Sequence, residues 1–212
     1  MIRTAFTMRL KPGGFEGYKQ HHDHIWPELV EEIKAAGVGQ ITIFRDGRDL
    51  FLYSTARDEA TWEKLRRSEV HTRWGELMSE FLEADESGEL VLADLEEIFH
   101  LETEQPAGAS LRREAFTMRL KPGAFAEYKR HHEQIWPELV TEVRRSGVGK
   151  INTFRSGLNL FLYSEVADAE AWARLWDSDV HRRWGAVMEP LMHLTPEGIV
   201  DAGDLTEIFH LE

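Results

Sequence analysis

Ala5-Phe6-Thr7-Met8-Arg9-Leu10-Lys11-Pro12-Gly13 is written a second time as Ala115-Phe116-Thr117-Met118-Arg119-Leu120-Lys121-Pro122-Gly123, displaced by 110 positions. The same offset carries His21-His22 and Ile25-Trp26-Pro27-Glu28-Leu29 onto His131-His132 and Ile135-Trp136-Pro137-Glu138-Leu139. Residues 3–102 therefore return, without a gap, as residues 113–212. Within the opening stretch, Ala5, Thr7 and Arg9 alternate with Phe6, Met8 and Leu10, the two-residue period of a half-buried strand, and Pro12-Gly13 stops it.

Working outward, residues 15–22 read as a first helix. Pro27 is suited to the first position of a second one, over 27–36, which Gly37 ends, so Trp26-Pro27 marks a kink. Residues 40–45 and 49–54 are apolar runs flanking the turn Asp46-Gly47-Arg48, a hairpin signal. Residues 59–67 and 72–82 have helical spacing, and 95–101 is a last strand. The order β-α-β-β-α-β is the ferredoxin-like arrangement, an antiparallel sheet with its helices on one face. The other sheet face needs cover, and a tandem copy supplies it. The expected fold is α+β: two ferredoxin-like βαββαβ units whose antiparallel sheets pack face to face as an intramolecular pseudo-dimer. The expected organisation is repeat 1 over 1–102, an exposed linker over 103–110 with Pro106 and Gly108, and repeat 2 over 111–212.

Composition narrows the function. Of 212 residues, 42% are hydrophobic, with seven Trp and eleven Phe, enough to build cores, and 30% are charged. No apolar run approaches the ~20 residues that span a bilayer, and the first residues lack an apolar signal region, which points to the cytoplasm. The absence of Cys removes disulfides, thiolate nucleophiles and Cys-ligated metal centres. A net charge of −13 repels phosphate backbones and anionic membranes. A neutral small molecule is the better partner, rather than nucleic acid or membrane.

The two copies act as a comparison, because identities are clumped. Residues 31–36 have drifted against 141–146, while the His-His and Ile-Trp-Pro-Glu-Leu blocks have not. Tyr18 and His22, and Tyr128 and His132, are four apart and share a helix face. A phenol beside an imidazole of ordinary pKa ~6.5 can hold and protonate a hydroxylated ligand. Packing at the core edge is the competing reading. His22-Asp23-His24 suggests a metal site, but its counterpart His132-Glu133-Gln134 lacks one ligand, so no metal is expected. His71 and His181 read as solvated helix-end residues behind the capping Ser68 and Ser178. His100 and His210, in the last strands, suit either a pocket or a cross-strand pair. Trp74 and Trp184 follow Arg73 and Arg183, an aromatic face beside a guanidinium of the kind a sugar can use.

With Tyr18, His22, Ile25-Trp26-Pro27-Glu28-Leu29, the opening Ile2-Arg3 and Ala5-Phe6, and Arg73-Trp74, the sequence resembles the L-rhamnose mutarotase family across nearly the whole of each repeat. The resemblance implies a dimeric α+β barrel, no metal or other cofactor, and interconversion of the α and β anomers of a 6-deoxy-hexose such as L-rhamnose or L-fucose. Family members are typically homodimers of single units, and this chain looks like such a dimer fused head to tail. Carried onto this sequence, the proton donor falls on His22 and His132 and a substrate-contacting tyrosine on Tyr18 and Tyr128. The first residue of a paired Trp-Trp falls on Trp74 and Trp184. The second is Gly75 and Gly185 here, and a sugar-contacting tyrosine is replaced by Ile41 and Ile151. Both repeats depart alike, which should alter the hydroxyls that the pocket reads.

Mutarotation protonates the ring oxygen, deprotonates the anomeric hydroxyl and recloses the aldehyde on its other face. His22 is the expected acid and Tyr18 the orienting group. His21, His100 or a water could be the base. The alternatives are a cofactor-independent monooxygenase or haem-binding protein of the wider barrel group, and a non-catalytic sugar-binding module.

Overall fold

The computed structural model describes residues 1–104 and 110–212, so the centre of the expected linker lies outside the described residues. The first copy runs β1 (Ile2–Arg9), α1 (Phe15–Asp23), α2 (Pro27–Ala36), β2 (Val38–Asp46), β3 (Asp49–Ala56), α3 (Ala60–Arg66), α4 (Glu69–Met78) and β4 (Ala93–Glu102). The second runs β5 (Arg112–Arg119), α5 (Phe125–Glu133), α6 (Pro137–Ser146), β6 (Val148–Ser156), β7 (Asn159–Val166), α7 (Ala171–Trp176), α8 (Asp179–Met188) and β8 (Ala202–Leu211), with a 3-10 turn at Glu189–Leu191.

Local chemistry accounts for the boundaries. Pro27 starts α2 and holds Trp26 extended, at φ −62° and ψ 128°. Gly37 ends that helix at φ 105°, a conformation that costs glycine nothing. Ser68 accepts a hydrogen bond from the His71 backbone N–H at 3.2 Å, which starts α4 at Glu69, earlier than the spacing of its apolar residues suggests. The same helix stops at Met78, short of the expected residue 82. There the chain turns to meet the end of β1: Leu82 bridges Leu10, and the Lys11 N–H donates to the Phe81 carbonyl at 2.8 Å.

The strands are antiparallel throughout and form a closed barrel in the order β1-β3-β2-β8-β5-β7-β6-β4. The fold is α+β, built from two repeated βαββαβ units, as the order of elements predicts. The last strand of each copy changes partners partway along. Residues Ala93–Leu95 of β4 pair with β1, and from Glu96 onward β4 pairs with β6. Strand β8 likewise pairs with β5 up to Leu205 and with β2 from Thr206. The compact units are therefore Met1–Leu95 with Thr206–Glu212, and Glu96–Leu205.

Each unit has its own core between helices and sheet. In the first, Leu10, Leu29, Leu50 and Leu65 are at most 1% exposed, and each such side chain contributes about 1.5–3 kcal/mol by leaving water. The indole N–H of Trp62 is satisfied by Ser54 Oγ at 3.1 Å, and that of Trp172 in the second unit by Ser164 Oγ at 3.0 Å. No described helix is long and apolar enough to cross a membrane.

Candidate active site

In the first unit, the inner face of α1 delivers Tyr18 and His22 to one wall of a cavity of about 120 Å³. Strand β1 contributes Phe6 and Met8, β2 contributes Ile41 and Ile43, and α4 contributes His71, Trp74 and Gly75. The lining is mostly apolar. His22 sits in an aromatic cage. Its ring stacks on Tyr18 with centroids 4.1 Å apart and meets Trp74 and Phe209 edge-on at 5.2 and 5.0 Å. Trp26 backs Trp74 edge-on at 5.3 Å. Phe209 belongs to β8, so a residue from the far end of the chain completes this site.

The second unit repeats the arrangement. Tyr128, His132, Ile151, Trp184 and Gly185 line a cavity of about 280 Å³. His132 lies 4.2 Å from the Tyr128 ring, 5.3 Å from Trp184 and 4.9 Å from Phe99, which comes from β4.

The hydrogen bonds of the two histidines assign their protons. His22 Nδ1 lies 2.9 Å from the Tyr18 carbonyl oxygen and His132 Nδ1 lies 3.0 Å from that of Tyr128. A carbonyl oxygen only accepts, so Nδ1–H donates and Nε2 keeps the lone pair. Burial disfavours the imidazolium and lowers both pKa values from 6.5 to about 4, against a smaller opposing effect of the bond to the carbonyl. At neutral pH each ring is neutral, with a basic nitrogen. The buried Tyr18 and Tyr128 hydroxyls are driven well above their ordinary pKa and stay protonated as donors.

The structure thus gathers His22, Tyr18, Trp74, Ile41 and Gly75 around one cavity and their five counterparts around the other. It separates other residues from them. Arg73 stacks over Trp26 at 5.1 Å and bonds Glu28 at 3.0 Å, in a shallow groove distinct from the cavity, and Arg183 does the same with Trp136 and Glu138. The His21 ring packs 5.5 Å from Phe81 and does not line the cavity. His100 and His210 form cross-strand pairs, Nδ1 to Asn152 Oδ1 and to Thr42 Oγ1, each at 3.0 Å. Phe209 and Phe99 line the cavities without having been singled out from the sequence. His71 and His181, expected at solvated helix ends, instead face inward: the Ser68 and Ser178 caps start their helices so that both side chains line the cavities, and burial lowers their pKa values.

The curated relatives each cover about half of this chain. A Bacillus subtilis (strain 168) L-rhamnose mutarotase is 39% identical over 105 residues, covering 48% of this chain and 100% of that protein. One from Oceanobacillus iheyensis is 31% identical over 104 residues, again 48% of this chain and 100% of its own length. A solved monooxygenase-like protein of Fusobacterium nucleatum superposes with a TM-score of 0.67 over 98% of this chain and 92% of its own, at 10% identity, a likeness of fold alone. The family model for L-rhamnose mutarotase matches residues 3–101 and again 113–211. The chain therefore belongs to the L-rhamnose mutarotase family, with two copies of the family unit in tandem.

Proposed function

We propose that this protein is a mutarotase that interconverts the α and β anomers of L-rhamnose or a closely related 6-deoxy-hexose, with one site in each compact unit. The observation that carries the reading is the neutral His22 imidazole, bonded at Nδ1 to its own helix and lining the cavity beside a protonated Tyr18. His132 repeats it. Family membership supplies the reaction class, and the apolar lining suits the C–H face and methyl group of a 6-deoxy sugar.

The tautomer reverses the order of proton transfers that a protonated histidine acid would use. Nε2 of His22 takes the proton of the anomeric hydroxyl as the C1–O5 bond breaks, and the resulting imidazolium returns that proton to O5. Both oxygens are bonded to C1, so one nitrogen can reach each in turn. The product is the open-chain aldehyde, and the protons balance. Rotation about C1–C2 and the reverse sequence give the other anomer. Tyr18 donates its hydroxyl to the sugar and fixes its orientation. General acid–base assistance of this kind is worth roughly 100- to 10,000-fold.

Saturation-transfer NMR on L-rhamnose and L-fucose tests the reading. The protein accelerates exchange between anomers of at least one of them, and His22→Ala combined with His132→Ala returns the rate to that of solvent. Full exchange in the folded double variant would overturn the assignment.

A further inference from the structure

The two cavities share their His, Tyr and Trp but differ at other lining positions. Ile33, Ile43, Leu90 and Leu92 line the first, and their counterparts in the second are the smaller Val143, Thr153, Val200 and Ala202. The second cavity has more than twice the room, about 280 Å³ against 120 Å³. It also gains an aromatic surface. Where Arg66 lines the first cavity, Trp176 lines the second, and it is 47% exposed although it is among the largest apolar side chains of the chain. Its ring lies 5.7 Å from Trp172 and 6.4 Å from Phe116, which hold it in place from the cavity side. The exposed carboxylates of Glu189 and Asp204 belong to the same lining.

We infer that the second site continues past His132 into a subsite for another pyranose ring, stacked on Trp176. It would take a reducing disaccharide whose reducing end is a 6-deoxy-hexose. A half-exposed indole offers a flat apolar face to the C–H face of a sugar, and carboxylates beside it accept hydrogen bonds from hydroxyls. Those carboxylates, with the net charge of −13, select a neutral polar ring over an anionic substituent or a purely apolar one. The first site, with Arg66 and four larger aliphatic residues, is left with room for a monosaccharide. The inference rests on the mutarotase reading and assigns the two copies different substrates.

The test uses the full-length chain with one site disabled at a time. His22→Ala isolates the second site and His132→Ala the first, and anomer exchange is measured on L-rhamnose and on D-glucosyl-L-rhamnoses linked 1→2, 1→3 and 1→4. In the His22→Ala protein at least one disaccharide exchanges at a rate comparable to L-rhamnose, while the His132→Ala protein exchanges L-rhamnose only. Adding Trp176→Arg to His22→Ala lowers exchange of the disaccharide relative to L-rhamnose by about fivefold, the scale of one aromatic contact. Equal treatment of every disaccharide by both single-site proteins, or an equal loss on both sugars from Trp176→Arg, would overturn the subsite and leave the mutarotase reading intact. Absence of L-rhamnose exchange from the unaltered protein would remove both.

Discussion

The imidazole of His22 lies almost flat on the ring of Tyr18, with the planes inclined by 29°, while its Nδ1–H donates to the carbonyl oxygen of that same residue. His132 and Tyr128 repeat the relationship at 31°. One residue thus sets both the orientation and the tautomer of the histidine, and the bond is made to backbone. It survives any change to the tyrosine side chain that preserves the helix.

The first prediction is the shape of the pH–rate profile. A base whose pKa is lowered to about 4 is in its working form throughout the neutral range. Protein-catalysed exchange of L-rhamnose, after subtraction of the solvent rate, is flat from about pH 5 to 8 and falls as the pH approaches 4. Polarimetry or NMR exchange measures this. A rate that declines as pH rises through 6.5 would show an imidazolium acid and exclude this order of steps.

A second prediction concerns stability. The folded pKa of His22 and His132 lies below the unfolded value of 6.5, so the unfolded chain binds protons first as pH falls. Their contribution is nearly complete above pH 7.5 and declines toward pH 4, by about 1.5 kcal/mol each between pH 6.5 and 5. His71 and His181, shifted in the same direction, act with the same sign. Urea midpoints measured at pH 7.5, 6 and 5 should fall steadily, and His22→Gln should flatten the slope. An unchanged slope in that variant would contradict the burial of a neutral ring.

The third prediction tests the support beneath the second cavity. Ser164 is fully buried, accepts from the Trp172 indole N–H at 3.0 Å and donates to the Glu114 carbonyl at 3.0 Å. Ser164→Ala removes the acceptor of a buried donor and costs about 1–3 kcal/mol. Denaturant titration reads the loss. Trp172→Phe in the same background should recover part of it, because no indole N–H is left to satisfy.

Much of this architecture can be read directly from the residues. Alternation in β1, Pro27 and Gly37 at the ends of α2 and the turn at Gly47 are local signals, and the local structure obeys them. Tyr18 and His22 could be paired because four residues on a helix bring side chains together. Phe209 and Phe99 could not be placed that way. Alternation with His210 and His100 assigns faces within a strand, but the change of partner at Thr206 and Glu96 is a long-range pairing with no local trace. His71 falls between these cases. As a helix-end residue it suggests solvent, yet positions 71, 74, 75 and 78 follow one helical face, and Ser68 sets that face by starting α4 at Glu69.

The last prediction addresses specificity at the altered wall. Gly75 and Ile41 stand where the family resemblance expects a tryptophan and a tyrosine, and both line the first cavity. A Cβ added at Gly75 would meet no atom within 4 Å, so the position is open to a side chain, and Gly185 is equally open. Gly75→Ala should therefore fold normally and stabilise α4 by about 0.5–1 kcal/mol, since glycine in a helix costs that much relative to alanine. Gly75→Trp with Ile41→Tyr, in a His132→Ala background, goes further. It puts back an aromatic wall and a hydroxyl donor, and a site built to hydrogen-bond a particular hydroxyl discriminates far more strongly than an apolar one. The ratio of L-rhamnose to L-fucose exchange should then rise by about 10-fold, with the thermal midpoint reporting on folding in parallel. A folded double variant with an unchanged ratio would mean that selectivity resides elsewhere on the cavity wall, with Arg66 and His71 as the remaining polar lining residues to examine.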